Sequence, residues 1–129
     1  MKAITTITAL CFLASAAVAA GPEIYEATGY CTCAKCCGKW ADGRCALGMQ
    51  IEDGWVRRGA KLYRAIAVDP RVIPLGSVVI VEGAGVCLAC DTGRLIKGKK
   101  LDICHLRHSA ALRFGRKRVR VWVEKGGKR

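Results

Sequence analysis

Three of the ten acidic residues stand where apolar runs end or begin, the positions from which a carboxylate can face a cleft. Asp69 closes Ala65-Ile66-Ala67-Val68, Asp91 follows the apolar run that ends at Cys90, and Asp102 sits inside Leu101-Asp102-Ile103. A short loop rich in glycine and lysine, from Thr92 to Lys100, joins the last two, so Asp91 and Asp102 are expected at the mouths of two strands, facing one another. Paired carboxylates in unlike surroundings are the usual equipment for acid/base work on glycosidic bonds, because one keeps a proton to donate while the other stays charged. Thr92 and Gly93 form the turn that aims Asp91 and are candidates to bind substrate there. Asp69 has two readings, a hydrogen-bonding role in the site or a turn cap before Pro70.

The elements that must position these acids are mostly strands. Glu23–Tyr30 alternates weakly and suits a first strand; Tyr63–Asp69 reads as a buried strand; Ser77–Glu82 is rich in β-branched residues and turns through Gly83-Ala84-Gly85 into Val86–Cys90. Val119, Val121 and Val123 alternate with Arg118, Arg120 and Trp122 in a last strand. One helix is expected, His108–Phe114, stopped by Gly115. Cys31–Gly48 is a cysteine- and glycine-rich loop without periodicity, and 49–61 is ambiguous, with Trp55 expected to pack the loop down. Five or six short strands without a strand–helix–strand rhythm argue for a small, mostly-β barrel.

Residues 1–20 read as a secretory signal: Lys2, a short apolar centre over Ala9–Ala14, and small residues through Ala20, with cleavage after Ala19 or Ala20. The barrel domain is expected over 24–124 and a basic tail over 125–129. Loss of the signal removes Cys11 and leaves eight of nine cysteines (Cys31, Cys33, Cys36, Cys37, Cys45, Cys87, Cys90, Cys104). An even number in an exported domain favours disulfides, with the pairing open. Cys33-x-x-Cys36 and Cys87-x-x-Cys90 also have zinc-ligand spacing, and His105 and His108 are either a ligand pair or simply packing. The disulfide reading is preferred, so neither a metal nor another cofactor is expected. The formal charge of +12 becomes +11 without Lys2, 21 basic against 10 acidic residues. Such a surface suits an anionic polymer. An exported protein meets a wall rather than nucleic acid, and no stable membrane insertion is expected after the signal is removed.

Four ordered motifs carry a resemblance over about residues 27–123. Cys31-Thr32-Cys33-Ala34-Lys35-Cys36-Cys37-Gly38-Lys39-Trp40-Ala41-Asp42-Gly43, Val68-Asp69-Pro70-Arg71-Val72-Ile73-Pro74-Leu75-Gly76, Asp91-Thr92-Gly93 through Asp102, and His108 with Ala111-Leu112-Arg113-Phe114-Gly115 resemble the Asp-Asp-Asp (three-aspartate) domain family. The resemblance implies a six-stranded double-psi β-barrel, similar to that of membrane-bound lytic transglycosylase A, with one short helix and a Cys-rich loop. It implies that Asp69, Asp91 and Asp102 are the family's aspartates, Asp102 the catalytic acid/base and Asp91 its assistant. The implied activity is lytic cleavage of the MurNAc–GlcNAc bond of peptidoglycan by a secreted, periplasmic or cell-envelope monomer. Lys97, Lys99 and Lys100 then become candidates to hold anionic groups of the glycan strand, or simply a solvated loop, and Trp40 a candidate to stack on a sugar, or core. Where the family often has Asp-Thr-Gly-Gly, this chain carries Arg94. A glycan-binding barrel without catalysis is the alternative, since fold alone does not set function.

Overall fold

A computed structural model describes residues 21–124; residues 1–20, expected to be a signal, and the tail 125–129 lie outside the described residues. In chain order the elements are β1 (Glu23–Tyr30), a four-residue helix α1 (Ala34–Cys37) running into a 3-10 turn (Gly38–Trp40), β2 (Trp55–Arg58), β3 (Lys61–Val68), β4 (Val78–Val81), β5 (Gly85–Asp91), β6 (Lys100–Cys104), α2 (His108–Phe114) and β7 (Lys117–Val123). Hydrogen bonds run in the order β3-β5-β4-β7-β1-β6, and β6 returns to β3. The sheet is therefore a closed six-stranded barrel, a double-psi β-barrel as the motifs implied. Closure leaves no exposed edge in the barrel ring.

Two pairs are parallel, β1 with β6 and β3 with β5, and the remaining neighbours are antiparallel. β2 lies outside the closed ring. It pairs with Lys61–Arg64 of β3, and β6 takes over the same edge from Ile66 to Val68. One strand thus has neighbours along both edges, and the site is built around it.

Two apolar clusters hold the barrel. Ile66, Val68, Val79, Val81, Leu101 and Ile103 belong to the first, into which Ile73 also packs from the proline-interrupted segment after β3. A second cluster forms on the opposite face of β3 and β5, where Ala65, Ala67, Leu88 and Cys90 meet Ile51, Val56 and Tyr63. Burial on both faces explains why these two strands read as unbroken apolar runs, whereas β7 alternates between Arg118, Arg120 and the buried Val119 and Val121.

The ambiguous stretch 49–61 contains β2, a four-residue strand stabilised by pairing with β3 and not by any pattern of its own. The Cys-rich loop, expected to be irregular, contains α1 and the 3-10 turn. Trp55 does not pack that loop down: it is 41 % exposed, with the Arg64 guanidinium 5.6 Å over its ring. No helix among the described residues is long and apolar enough to cross a membrane.

Ile66 is fully buried at the point where β3, β5 and β6 meet. Ile66→Ala should cost about 2–5 kcal/mol, enough to lower Tm by roughly 10–20 °C in a domain of this size, as read by calorimetry.

Candidate active site

Ala67 of β3 is in register with Asp91 of β5 on one side and with Asp102 of β6 on the other. At strand spacings of about 4.8 Å, this puts the two aspartates roughly 10 Å apart at their Cα atoms, with only a methyl group between them. The register of β3 with β5 shifts between Ile66 and Ala67, so that Ala67 meets Asp91 and Cys90 is skipped. A shift of this kind turns the next side chain to a different direction. Cys90 goes into the second cluster, and Asp91 goes to the groove.

Asp102 lies beside Thr28 in the parallel pairing of β1 and β6, and the Thr28 hydroxyl donates to its Oδ1 at 2.9 Å. Burial pushes the Asp102 carboxyl above its ordinary range; the Thr28 hydrogen bond opposes this, and the charge of Asp91 adds to it. Asp91 accepts three hydrogen bonds: Tyr30 Oη to Oδ2 at 2.8 Å, and the Ala46 and Thr92 N–H groups to Oδ1 at 2.9 and 3.0 Å. Burial, with Asp91 beside it, raises the Tyr30 hydroxyl far above its usual range, so it remains a neutral donor.

Both acids line one groove of about 880 Å³. Ala67 and Tyr30 lie between its two walls, one formed by the Cys-rich loop (Cys36, Cys37, Asp42, Arg44, Cys45) and the other by Thr92–Ile96. The volume is in the range of a small-ligand site.

Residues 64–125 match the 3D domain family, and all three aspartates fall inside the match. This chain carries a 3D domain. Three proteins of Bacillus subtilis (strain 168) share sequence with it. YabE, named as a proposed cell wall shaping protein, is 44% identical over 90 residues, covering 70% of this chain and 20% of YabE. The cell wall-binding protein YocH is 53% identical over 60 residues, 46% of this chain and 21% of YocH. The SPbeta prophage-derived YorM is 38% identical over 88 residues, 66% of this chain and 36% of YorM. The chain thus spans between a fifth and about a third of the length of these relatives. Among solved structures, MltA from E. coli is similar at 20% identity with a TM-score of 0.45, over 62% of this chain and 26% of that one.

The third aspartate of the 3D domain is placed apart from the other two. Asp69, 2 % exposed, is gripped by Arg71 through Nε at 3.1 Å and Nη2 at 3.1 Å, and accepts the Arg71 and Gly98 N–H groups at 3.0 and 2.8 Å. It ties the end of β3 to the β5–β6 loop and is not among the groove-lining residues. Of the other candidates, Thr92 and Gly93 line the groove and the three lysines do not. Lys99 lies 3.5 Å from Glu23 and Lys100 3.7 Å from Glu26, while Lys97 is exposed. The side chain of Trp40 lies outside the described residues. Arg44 and Arg94 supply the basic groups at the groove, with Tyr30 and Thr28 behind the acids. Tyr30 and Thr28 carry no sequence signal of their own, because only strand register brings them to the aspartates.

The eight cysteines of the described residues are free thiols. Cys104 is pushed up to about 12 by burial, and Cys37 up to about 11 by burial and neighbouring negative charge. Neither is suited to nucleophilic work. His105 and His108 do not act as a pair. His105 packs at a tilt against Phe114 with ring centroids 5.2 Å apart, in space that Gly29 leaves open (a Cβ there would come within 2.9 Å of the His105 ring), whereas His108 faces Cys31, Cys33 and Cys36.

Asp69 is held well below the usual carboxylate range, first by the Arg71 hydrogen bonds and then by the Gly98 N–H. A depressed carboxyl adds stability above its unfolded pKa of about 3.9, and loses it as pH falls through the folded value. Asp69→Asn should therefore lower Tm at neutral pH, and the gap from wild type should close as thermal melts are taken into strong acid.

Proposed function

We propose that the protein is a cell-wall enzyme, a lytic transglycosylase that cleaves the MurNAc–GlcNAc bond of peptidoglycan outside the cell. The single observation that carries the reading is that Asp91 and Asp102, on strands either side of Ala67, line one sugar-sized groove, with the Asp102 carboxyl pushed up by burial. The cell-wall names of YabE and YocH support the setting.

Asp102 holds its proton in the resting site and donates it to the glycosidic oxygen as the C1–O bond breaks and charge develops at the sugar ring. Asp91, with three donors aimed at it, serves as the anion that steadies this charge. The C6 hydroxyl of the same sugar then attacks C1. Its oxygen forms the new bond, its proton returns to Asp102, and the product is a 1,6-anhydro ring. Because the nucleophile belongs to the substrate, no water needs activation and one carboxyl serves both steps. Arg44 and Arg94 face the groove and suit the lactyl and peptide carboxylates of the strand.

A second reading, a wall-binding module without catalysis, is favoured by the name of YocH. Purified sacculi distinguish the two. The enzyme releases anhydro-muropeptides detectable by mass spectrometry, and Asp102→Asn lowers release by at least about 10²-fold with the fold retained. Reducing-end products mean hydrolysis instead, and retention on sacculi without release means a binder.

The pH profile follows from the same geometry. A general acid works while protonated, so release falls as pH rises through the elevated Asp102 value. Thr28→Val removes the donor that favours the charged form and should move this alkaline limb to higher pH, as read from initial rates of release across a buffer series.

A further inference from the structure

Beside the groove, four ligand-type side chains from distant parts of the chain converge. Cys31 follows β1, Cys33 immediately precedes α1, Cys36 lies within α1, and His108 is the first residue of α2. Their donor atoms all lie within 4.8 Å of one another. His108 Nδ1 is 3.8 Å from Cys31 Sγ, 3.5 Å from Cys33 Sγ and 3.3 Å from Cys36 Sγ. Cys31 Sγ is in turn 3.0 Å from Cys33 Sγ and 3.6 Å from Cys36 Sγ. These are five of the six edges of a small tetrahedron, and the sixth, Cys33 Sγ to Cys36 Sγ, is no longer than 4.8 Å.

We propose that Cys31, Cys33, Cys36 and His108 bind one zinc ion as a closed structural site. Zinc–sulfur bonds of about 2.3 Å and zinc–nitrogen bonds of about 2.0–2.1 Å at tetrahedral angles require S···S edges near 3.8 Å and S···N edges near 3.6 Å. The nitrogen edges straddle that value already, and an ion at the centre opens the shortest sulfur contact by less than about 1 Å. Four protein ligands leave no open position, which makes the site structural and not catalytic. As three Zn–S bonds form, three thiol protons go to solvent; the neutral imidazole supplies the fourth bond, and nothing is oxidised. The Cys31 N–H already donates to Cys36 Sγ at 3.3 Å, the kind of support that orients a thiolate ligand.

The count of sulfurs favours metal over the disulfide first expected. One bridge among three thiols leaves a third facing His108 with no partner of its kind, whereas one ion uses all four groups. The fold also has a use for such a clamp. α1 is four residues long with no buried residue, too short to hold itself together, yet it presents Cys36 and Cys37 to the groove wall. A bond from this loop to His108 fixes the wall to α2, which packs on β1. Cys37 points elsewhere: its Sγ donates to the Cys31 carbonyl at 3.3 Å.

The test is metal content and cobalt spectroscopy on the whole chain, purified with its thiols protected and zinc supplied. The expected result is one zinc per chain, replaceable by Co²⁺ with thiolate charge-transfer and tetrahedral ligand-field bands. Chelation should lower Tm, and Cys36→Ser and His108→Ala should lose the ion while Cys37→Ser keeps it. A wild-type protein that takes up no metal with all thiols reduced overturns the proposal. So does peptide mapping of exported protein that finds Cys31 bonded to Cys33 or Cys36, or loss of the ion in a folded Cys37→Ser. The wild-type stoichiometry and cobalt spectrum need no variant, so they decide the matter even where a variant fails to fold. All of these readouts are independent of glycan cleavage.

Discussion

The site depends on one strand having the right neighbours at the right residue. Ala67 is paired on one edge of β3 with Asp91 and on the other with Asp102, and this double register brings the two carboxylates to one groove. Barrel closure makes it possible, since β6 can reach β3 only when the sheet returns on itself. The register shift beside Ala67 matters as much. Without it Cys90 would occupy the place opposite Ala67, and the acid would turn away. A small side chain at 67 leaves the space between the acids open, and Ile66 and Val68 on the other face bind the same strand into the barrel core.

Around this centre, burial sets how each aspartate behaves. Asp69 is the most buried of the three and is surrounded by donors, so it is held as an anion and serves to tie two loops. Asp102 has one hydroxyl donor and sits where desolvation outweighs it, so its carboxyl is pushed above the ordinary range. Asp91 has three donors and faces the groove. Three residues of one type are thereby given three environments, which is how a single side-chain chemistry comes to serve separate tasks. The Cys-rich loop completes the arrangement: it donates the Ala46 N–H to Asp91 and contributes Arg44 to the groove.

Much of the scaffold was legible in the residues. Glu23–Tyr30 and His108–Phe114 have the bounds that alternation and the Gly115 stop suggested, and the valine-rich runs became β4 and β7. Runs apolar on both faces identified β3 and β5, although the loop that covers their outer face could not be named from its sequence. β2 was hidden because its existence depends on pairing with β3, not on its own pattern. The position of the acids at strand ends was visible, but Thr28 and Tyr30, more than sixty residues distant in sequence from the aspartates they touch, were not. The lysine-rich loop stood out in the sequence, whereas the basic residues that line the groove are Arg44 and Arg94. Cysteine spacing identified ligand-type groups without their partner. His108 joins them from 72 residues beyond Cys36, a distance that no local motif spans.

The central claim is that the Asp102 carboxyl is raised above its ordinary range because it is desolvated and because Asp91 lies across Ala67 from it. A carbon-13 NMR titration of the Asp102 side-chain carboxyl, in the wild type and in Asp91→Asn, measures this directly. The account predicts a wild-type midpoint above the ordinary value of about 3.9, moving down when the charge at 91 is removed. A midpoint at or below the ordinary value, or one indifferent to Asp91→Asn, would contradict it.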